Sequence, residues 1–218
     1  MAHTTQKLIQ QPIAIAITLT MTCAMSAAQA QSDKAMKNLA VAGSLASYAY
    51  AYSLGSDWAC QDQYRVGAQL GRDEELRSTG LQFSMLTCDH PSADLIPGLE
   101  FRFTPVFAAT QWRANAGPYA RTNEEFTLTP QIRYVYPHNS MAMDVGFGIG
   151  LSFISEPDIG TRQKSTHYQF SDEFSVGLSD RSGRYRLAYL YRHVSNADTQ
   201  LPNNGVDFHG ISLSMTLR

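Results

Sequence analysis

A histidine, a serine and an aspartate near the end of the chain are residue types that could hydrolyse an ester. His193 and Ser195 stand two positions apart in "RHVSN", and Asp207 follows beyond a Pro-Asn-Asn-Gly turn. Serine is a weak nucleophile that needs an adjacent base, and that base needs a group to orient it. Ser195 as nucleophile, His193 as general base and Asp207 as orienting acid are therefore candidate catalytic residues. A polar turn between two strands is the alternative interpretation of the same residues.

The sequence around these residues alternates with period two, which is typical of β-strands. In "MDVGFGIGLSF" (143–153), large apolar residues fill one set of alternate positions and Asp, Gly and Ser fill the other. This distribution predicts a lipid-facing exterior around a narrow polar interior, whereas a soluble sandwich would bury its large face and carry more charge on the other. Segments of this kind occur at about 63–72, 78–87, 98–112, 124–136, 141–154, 167–178, 183–195 and 207–217.

We therefore predict an all-β fold, an eight-stranded antiparallel outer-membrane β-barrel. Pro105 and Pro130 lie inside predicted strands, and proline removes a donor from the hydrogen-bond ladder. We expect bulges or irregular edges at these two positions.

Strand parity places the candidate catalytic residues on the outer wall. His193 and Ser195 share the parity of Leu187, and Asp207 shares that of Ile211, whereas the arginines of the seventh strand take the inward positions. Polar groups that face acyl chains cost free energy unless they have a function. The other outward residues are expected to be structural: an aromatic girdle of tyrosines, an interfacial histidine and a lipid-facing phenylalanine, namely Tyr185, Tyr189, Tyr191, His209 and Phe170.

The start of the chain has the features of an export signal. Residues 1–30 combine Lys7, an apolar run over 12–25 and small residues at Ala28 and Ala30, which predicts a secretory signal peptide. Residues 31–60 form an N-terminal extension that could be a periplasmic segment, a short helix or an extra strand, and 61–218 form the barrel. The formal net charge of −2 does not indicate a nucleic-acid-binding protein.

Two cysteines remain after the predicted signal peptide. Cys60 and Cys88 are an even pair in an exported chain, so a disulfide between them is plausible. Two unpaired thiols are the alternative.

The C-terminal third of the chain contains the motifs "YRHVSNA" (191–197) and "LPNNGVD" (201–207), which follow the strand sequences "GFGIGLSF" (146–153) and "YQFSDEFSVG" (168–177). In these motifs and strands the chain resembles the outer-membrane lipid A 3-O-deacylase family. The resemblance implies an eight-stranded barrel in the bacterial outer membrane that removes the 3-position ester-linked acyl chain of lipid A.

The resemblance also implies roles for single residues. Ser195 would be the nucleophile and His193 the general base. Asp207 would be the third member, at a position where the family usually has glutamate, and Asn203 would hold the oxyanion. For Asn203, turn chemistry is the alternative, because Pro-Asn-Asn-Gly is a turn sequence.

The resemblance implies no metal and no cofactor. The expected partners are lipid A or lipopolysaccharide and outer-membrane lipids, and a homodimer is left open. Two other functions fit the same barrel. One is an outer-membrane phospholipase with the same triad, and the other is a non-enzymatic barrel with a structural or adhesive role.

Overall fold

Eight strands form a closed antiparallel β-barrel, which confirms the predicted fold class. The structure, a computed structural model, describes residues 32–91 and 98–217. Neighbouring barrel strands follow one another along the chain, and β6 and β7 form a separate hairpin between β5 and β8. The strands are β1 (Ala59–Arg72), β2 (Leu76–Pro91), β3 (Glu100–Ala114), β4 (Thr122–His138), β5 (Met141–Ile154), β6 (Asp158–Ile159), β7 (Arg162–Gln163), β8 (Tyr168–Asp180), β9 (Tyr185–Ser195) and β10 (Val206–Thr216).

The chain divides into two compact units, 1–36 and 37–218. The predicted signal peptide lies outside the described residues. Of the alternatives for residues 31–60, the structure has a helix, α1, over 32–53. Within the described ranges, no helix combines the length and the apolar character that crossing a membrane requires.

From Ala40 onward, one face of α1 consists of small residues that pack against the outer wall of the barrel. Ala40, Ser44 and Ser47 are buried and recur at the spacing of one helical face. A Cβ atom at Gly43 would come within 2.2 Å of the Phe147 ring on β5. The absence of that atom lets the helix backbone approach the lipid-facing side of the strand.

Tyr48 on α1 fills a gap in the barrel ladder at Pro130. The β4–β5 register runs as far as Leu128↔Leu151 and resumes at Gln131↔Gly148. Between these pairs, the Tyr48 hydroxyl donates to the Pro130 carbonyl at 2.5 Å and accepts from the Ile149 N–H at 2.8 Å. One side chain thus satisfies two backbone groups, which matters in a membrane because water is not available to do so.

Pro105 also lies at an irregularity. It is directly opposite Pro130 in an unbroken β3–β4 register. On its other side, the β2–β3 register shifts between the Phe83 and Cys88 positions. A register shift therefore lies beside Pro105, whereas the ladder beside Pro130 has a gap without a register shift.

The barrel interior is polar and filled with ion pairs. Asp144 accepts from Arg186 and lies 3.9 Å from Arg133, while Glu125 accepts from Arg192 at 2.6 Å and from the indole of Trp112 at 2.9 Å. An apolar cluster closes the interior near the β6–β7 hairpin, and its members are Leu76, Trp112, Ile154, Ile159, Val194, Val206 and Phe208.

The two barrel ends differ in loop length. The connections at one end are 73–75, 115–121, 155–167 and 196–205, and those at the other end are 92–99, 139–140 and 181–184, so the two longest connections lie at the first end. Outer-membrane barrels carry their longer loops on the extracellular side, so the end with the long loops is the outer one.

Cys60 and Cys88 are directly opposite on β1 and β2 and form a disulfide with an S–S distance of 2.12 Å.

Candidate active site

The three candidate catalytic side chains meet at the outer end of β9 and β10. His193 and Asp207 are directly opposite in the register of these strands, and Ser195 is the last residue of β9. With its proton on Nδ1, His193 donates to Asp207 Oδ1 at 2.8 Å. Its Nε2 then accepts from the Ser195 hydroxyl at 3.0 Å.

The site is more enclosed than parity predicts. His193 and Ser195 share the outward parity of Leu187, which is 52% exposed, yet they are only 4% and 5% exposed. Gly205, at the end of the 196–205 loop, covers the imidazole, and a Cβ atom there would lie 2.6 Å from His193 Cε1. The returning loop therefore shields the base, which parity alone does not predict.

Asp207 reaches His193 although it is one methylene shorter than glutamate. Its Oδ1 atom also accepts a hydrogen bond from the Tyr191 hydroxyl at 2.5 Å, and its backbone N–H donates to Asp73 at 3.1 Å. Arg162 holds Asp73 at 3.1 Å and donates to the Gly205 carbonyl at 2.8 Å. The ion pair of Arg162 and Asp73 therefore fixes the backbone that carries both Gly205 and Asp207.

Tyr191 corrects one sequence expectation. We predicted an aromatic-girdle role, but its ring is fully buried and its hydroxyl bonds the candidate acid. Tyr185 and Tyr189, on the same strand, are 48% and 38% exposed on the outer wall. The hydroxyl of Tyr189 lies 2.7 Å from Nδ1 of His209.

Asn203, the candidate oxyanion residue, lies in the loop that follows Ser195. Its side-chain carbonyl accepts from the backbone N–H of Asn196 at 3.2 Å, and its amide nitrogen donates to Asp198 at 3.0 Å. The backbone N–H next to the nucleophile and the Asn203 amide are thus brought together. Asn196 itself is buried and donates through its side chain to the Lys164 and Gln200 carbonyls.

Lys164 is a buried lysine that the sequence did not single out. Its Nζ donates to the Val194 carbonyl at 2.8 Å, and its own carbonyl accepts from Asn196 at 2.9 Å. These contacts flank Ser195 on both sides along the chain. Burial lowers the pKa of the Lys164 ammonium to about 7, because desolvation outweighs the opposing attraction of Glu125.

Asp172 is a second carboxylate beside the base that we did not identify. It is directly opposite His193 on β8, on the side away from Asp207, and it is 7% exposed. Its parity with Phe170 and Phe174 was the sequence signal that could have revealed it. In the described part of the chain, no group of three or more His, Cys, Asp or Glu side chains is placed to hold a metal ion.

The geometry has the parts that ester hydrolysis requires. A hydroxyl lies within hydrogen-bond reach of an imidazole, and a carboxylate holds the other imidazole nitrogen. The backbone N–H after the hydroxyl donates to the side-chain carbonyl of Asn203, whose amide nitrogen donates to Asp198.

The chain aligns with solved structures to different extents. The crystal structure of the outer membrane enzyme PagL aligns with a TM-score of 0.60 at 18% identity, over 70% of this chain and 99% of that chain. Neisserial surface protein A aligns with a TM-score of 0.44 at 12% identity, over 73% of this chain and 98% of its own. The Yersinia pestis outer membrane protein Ail aligns with a TM-score of 0.35 at 11% identity, over 72% and 100%.

No curated protein matches the sequence. The family model of the lipid A 3-O-deacylases matches residues 90–216, which is more than half of the chain and includes His193, Ser195 and Asp207. The chain belongs to the lipid A 3-O-deacylase (PagL) family.

Proposed function

We propose that Ser195, His193 and Asp207 are the catalytic triad with which this outer-membrane lipid A 3-O-deacylase hydrolyses its substrate. The observation that carries the proposal is the continuous chain of hydrogen bonds from Ser195 Oγ through the imidazole of His193 to Asp207 Oδ1. The triad lies at the outer end of the barrel and on its lipid-facing parity, beside the leaflet in which lipid A resides.

The reaction proceeds in two steps. Ser195 Oγ attacks the ester carbonyl carbon while His193 Nε2 takes the hydroxyl proton. The tetrahedral intermediate collapses, His193 returns the proton to the departing sugar hydroxyl, and an acyl-serine remains. Water, deprotonated by the same imidazole, then attacks the acyl-serine, the bond to Ser195 Oγ breaks, His193 returns the proton to that oxygen, and the fatty acid is released. Asp207 keeps the imidazole in the tautomer that accepts from serine and stabilises the imidazolium.

Asn203 enters the proposal as an oxyanion donor. Its side-chain carbonyl now accepts from the Asn196 N–H. For an Asn203 N–H to reach the oxyanion, the amide has to release that contact, which also frees the Asn196 N–H. Two donors then serve the same developing charge, an arrangement that stabilises tetrahedral intermediates.

An apolar groove beside Ser195 supports an acyl substrate. Phe170, on β8, is directly opposite Ser195. From Phe170 an open groove of about 590 Å³ crosses the outer wall, lined among others by Leu151, Phe153 and Phe126. An acyl chain in this groove would bring its ester end to the nucleophile.

Mass spectra of lipid A test the proposal. We expect wild-type protein, expressed in an outer membrane, to remove one hydroxyacyl unit from lipid A, and a Ser195→Ala variant to remove none. Ser182→Ala, an exposed serine at the opposite end of the barrel, is the matched control and should act like wild type. Equal loss of the acyl chain with Ser195→Ala would contradict the triad.

A second assay separates the phospholipase alternative. The purified protein is incubated with phospholipid vesicles that contain no lipopolysaccharide. Release of free fatty acid at a rate comparable with that from lipid A would identify a phospholipase.

A further inference from the structure

A small polar cavity lies inside the barrel, in the half away from the triad. It has a volume of about 30 Å³ and is lined by three arginines, Arg65 on β1, Arg133 on β4 and Arg186 on β9. Arg186 is the second residue of β9, whereas Ser195 is the last residue of that strand. The cavity is therefore separate from the candidate active site, and we call it the arginine cavity.

One carboxylate faces the three guanidinium groups of the arginine cavity. Asp144 accepts from Arg186 Nε at 2.8 Å and lies 3.9 Å from a nitrogen of Arg133. Arg65 instead donates to the Ser214 hydroxyl at 3.2 Å and to a backbone carbonyl at 2.7 Å, and both acceptors are neutral. Three cations and one carboxylate leave the cavity wall with an excess of two positive charges.

The other charged groups near the cavity are engaged elsewhere. Arg102, a fourth cation nearby, is paired with Asp89 at 2.5 Å and has a second carboxylate at 3.7 Å. Asp180, the last residue of β8, accepts from a backbone N–H of the adjoining turn at 2.8 Å. The cation that acts most strongly on Glu173 is Arg192, which does not line the cavity. These groups therefore leave the excess positive charge in place.

Two buried hydroxyl groups complete the wall between Arg65 and Arg133. Ser84 on β2 and Thr104 on β3 line the cavity, and they are only 2% and 3% exposed. Within residues 32–91 and 98–217, neither hydroxyl oxygen has a hydrogen-bond partner. A buried hydroxyl without a hydrogen bond is unfavourable, and each of these two can donate to an anion in the cavity.

Arg133 has the most donors to spare. It is 5% exposed, and its contact with Asp144 is longer than a hydrogen bond. In the part of the chain that the structure describes, no hydrogen bond satisfies the five N–H donors of its guanidinium. A buried charge is costly unless it is paired and hydrogen-bonded. An anion that accepts several N–H and O–H donors would meet both requirements.

We propose that the arginine cavity binds one halide ion, chloride in the natural setting. The ion accepts from Arg65, Arg133 and the hydroxyls of Ser84 and Thr104, while the Arg186 ion pair with Asp144 stays intact. A cavity needs at least about 10–15 Å³ to hold one water molecule, so about 30 Å³ admits a single halide ion. Phosphate and sulfate are larger, because each carries four oxygens around a central atom.

The bound halide stabilises the folded barrel and takes no part in ester hydrolysis. The register that lines up the donors exists only in the folded protein: Arg65 is directly opposite Ser84, and β9 lies four strands from β3 in either direction around the barrel. A ligand that binds the folded protein and not the unfolded chain raises the free energy of unfolding. Chloride should therefore stabilise the barrel beyond the general effect of salt.

Bromide replaces chloride and scatters anomalously, so crystals grown in bromide test the position of the ion. We expect one anomalous peak in the arginine cavity of the full-length protein, in contact with the Arg133 guanidinium and the Ser84 hydroxyl. Density without an anomalous signal at this position would show an ordered water and would overturn the proposal.

Urea unfolding in detergent tests the binding in solution, because guanidinium chloride would itself supply chloride. Sodium chloride replaces sodium gluconate at constant ionic strength. Above the Kd of the site, a tenfold rise in chloride should raise the ratio of folded to unfolded protein about tenfold at a fixed urea concentration. A ratio that does not depend on chloride would overturn the proposal.

Variants of the hydroxyl donors connect the effect with the cavity. The double variant Ser84→Ala with Thr104→Val removes two donors at nearly constant volume, and it should lose the bromide peak and most of the chloride dependence. Ser171→Ala is the matched control: Ser171 is fully buried and its hydroxyl also lacks a partner in the described ranges, but it does not line the cavity. The control should keep the full chloride dependence.

The remaining outcomes are also decisive. A double variant that folds and keeps both the bromide peak and the wild-type chloride dependence would refute the assigned donors. Arg133→Met should abolish the chloride dependence, and if it does not fold, the double variant still gives the answer. Stabilisation by phosphate as strong as that by chloride, and lost in the double variant, would overturn the assignment to a halide.

Discussion

Gly205 offers a direct test of how the loop after Ser195 controls the base. In a Gly205→Ala variant, the new Cβ atom would lie 2.6 Å from His193 Cε1 and 3.3 Å from Nε2. Carbon atoms pack favourably at about 3.5–4.0 Å, so the ring and the methyl group have to separate by about 1 Å. The Gly205 carbonyl is held by Arg162 at 2.8 Å, so the imidazole is the group that moves.

The displacement breaks the alignment of Nε2 with the Ser195 hydroxyl, now 3.0 Å away. A misplacement of about 1 Å can cost about a hundredfold in rate. The free energy of unfolding should fall by no more than about 1–3 kcal/mol, the typical cost of overpacking, because the imidazole can swing toward the rim of the site. We therefore expect kcat to fall by about two orders of magnitude in a barrel that remains folded.

The assay measures kcat and KM on a short water-soluble ester, together with denaturant unfolding of the barrel in detergent. Asn204→Ala is the matched control, because it perturbs the adjacent loop residue, which is exposed and bonds Gln163 rather than His193. The control should keep the wild-type kcat. A folded Gly205→Ala protein with a kcat within about threefold of wild type would refute the reasoning about ring displacement.

Three further predictions follow from single contacts. Tyr48→Phe leaves the Pro130 carbonyl and the Ile149 N–H without their shared partner, so the free energy of unfolding, measured by denaturant titration, should fall by about 2 kcal/mol. Tyr52→Phe is the control, because Tyr52 is 90% exposed on the same helix, and it should leave the free energy of unfolding unchanged. Tyr191→Phe removes a donor to Asp207 and should lower kcat by about tenfold at unchanged KM, measured on a water-soluble ester, and an unchanged kcat would contradict a role in holding the acid. Lys164 has a pKa of about 7 in the folded protein and near 10.4 in the unfolded chain. Between pH 7 and about 10 the unfolded chain therefore binds more protons than the folded protein, so the free energy of unfolding of wild type should rise relative to that of Lys164→Met over this pH range. A difference between the two proteins that does not change with pH would refute a buried, neutral Lys164.

The alternation of large and small residues is a local property, and for that reason the sequence predicts much of the barrel. Strand identity, the number of barrel strands and the face of each side chain all follow from period two. The outward parity of His193, Ser195 and Asp207 is readable in the same way. Asp172 was readable too, since it shares the parity of Phe170 and Phe174.

Register and burial are not local, and only the tertiary structure decides them. Arg72, Arg77 and Arg113 lie opposite one another because of the register of β1, β2 and β3, and no single strand carries that information. Tyr48 meets Pro130 only because α1 packs on the outer wall.

The same distinction holds at the candidate site. The sequence determined which three residues could form a triad and which face they occupy, because spacing and residue type fix both. The tertiary structure alone decided that Gly205 covers His193 and that Tyr191 turns to Asp207. Those contacts depend on how a loop folds back over two paired strands, and that path is set by packing between segments that are distant in the sequence, such as Arg162 with Asp73.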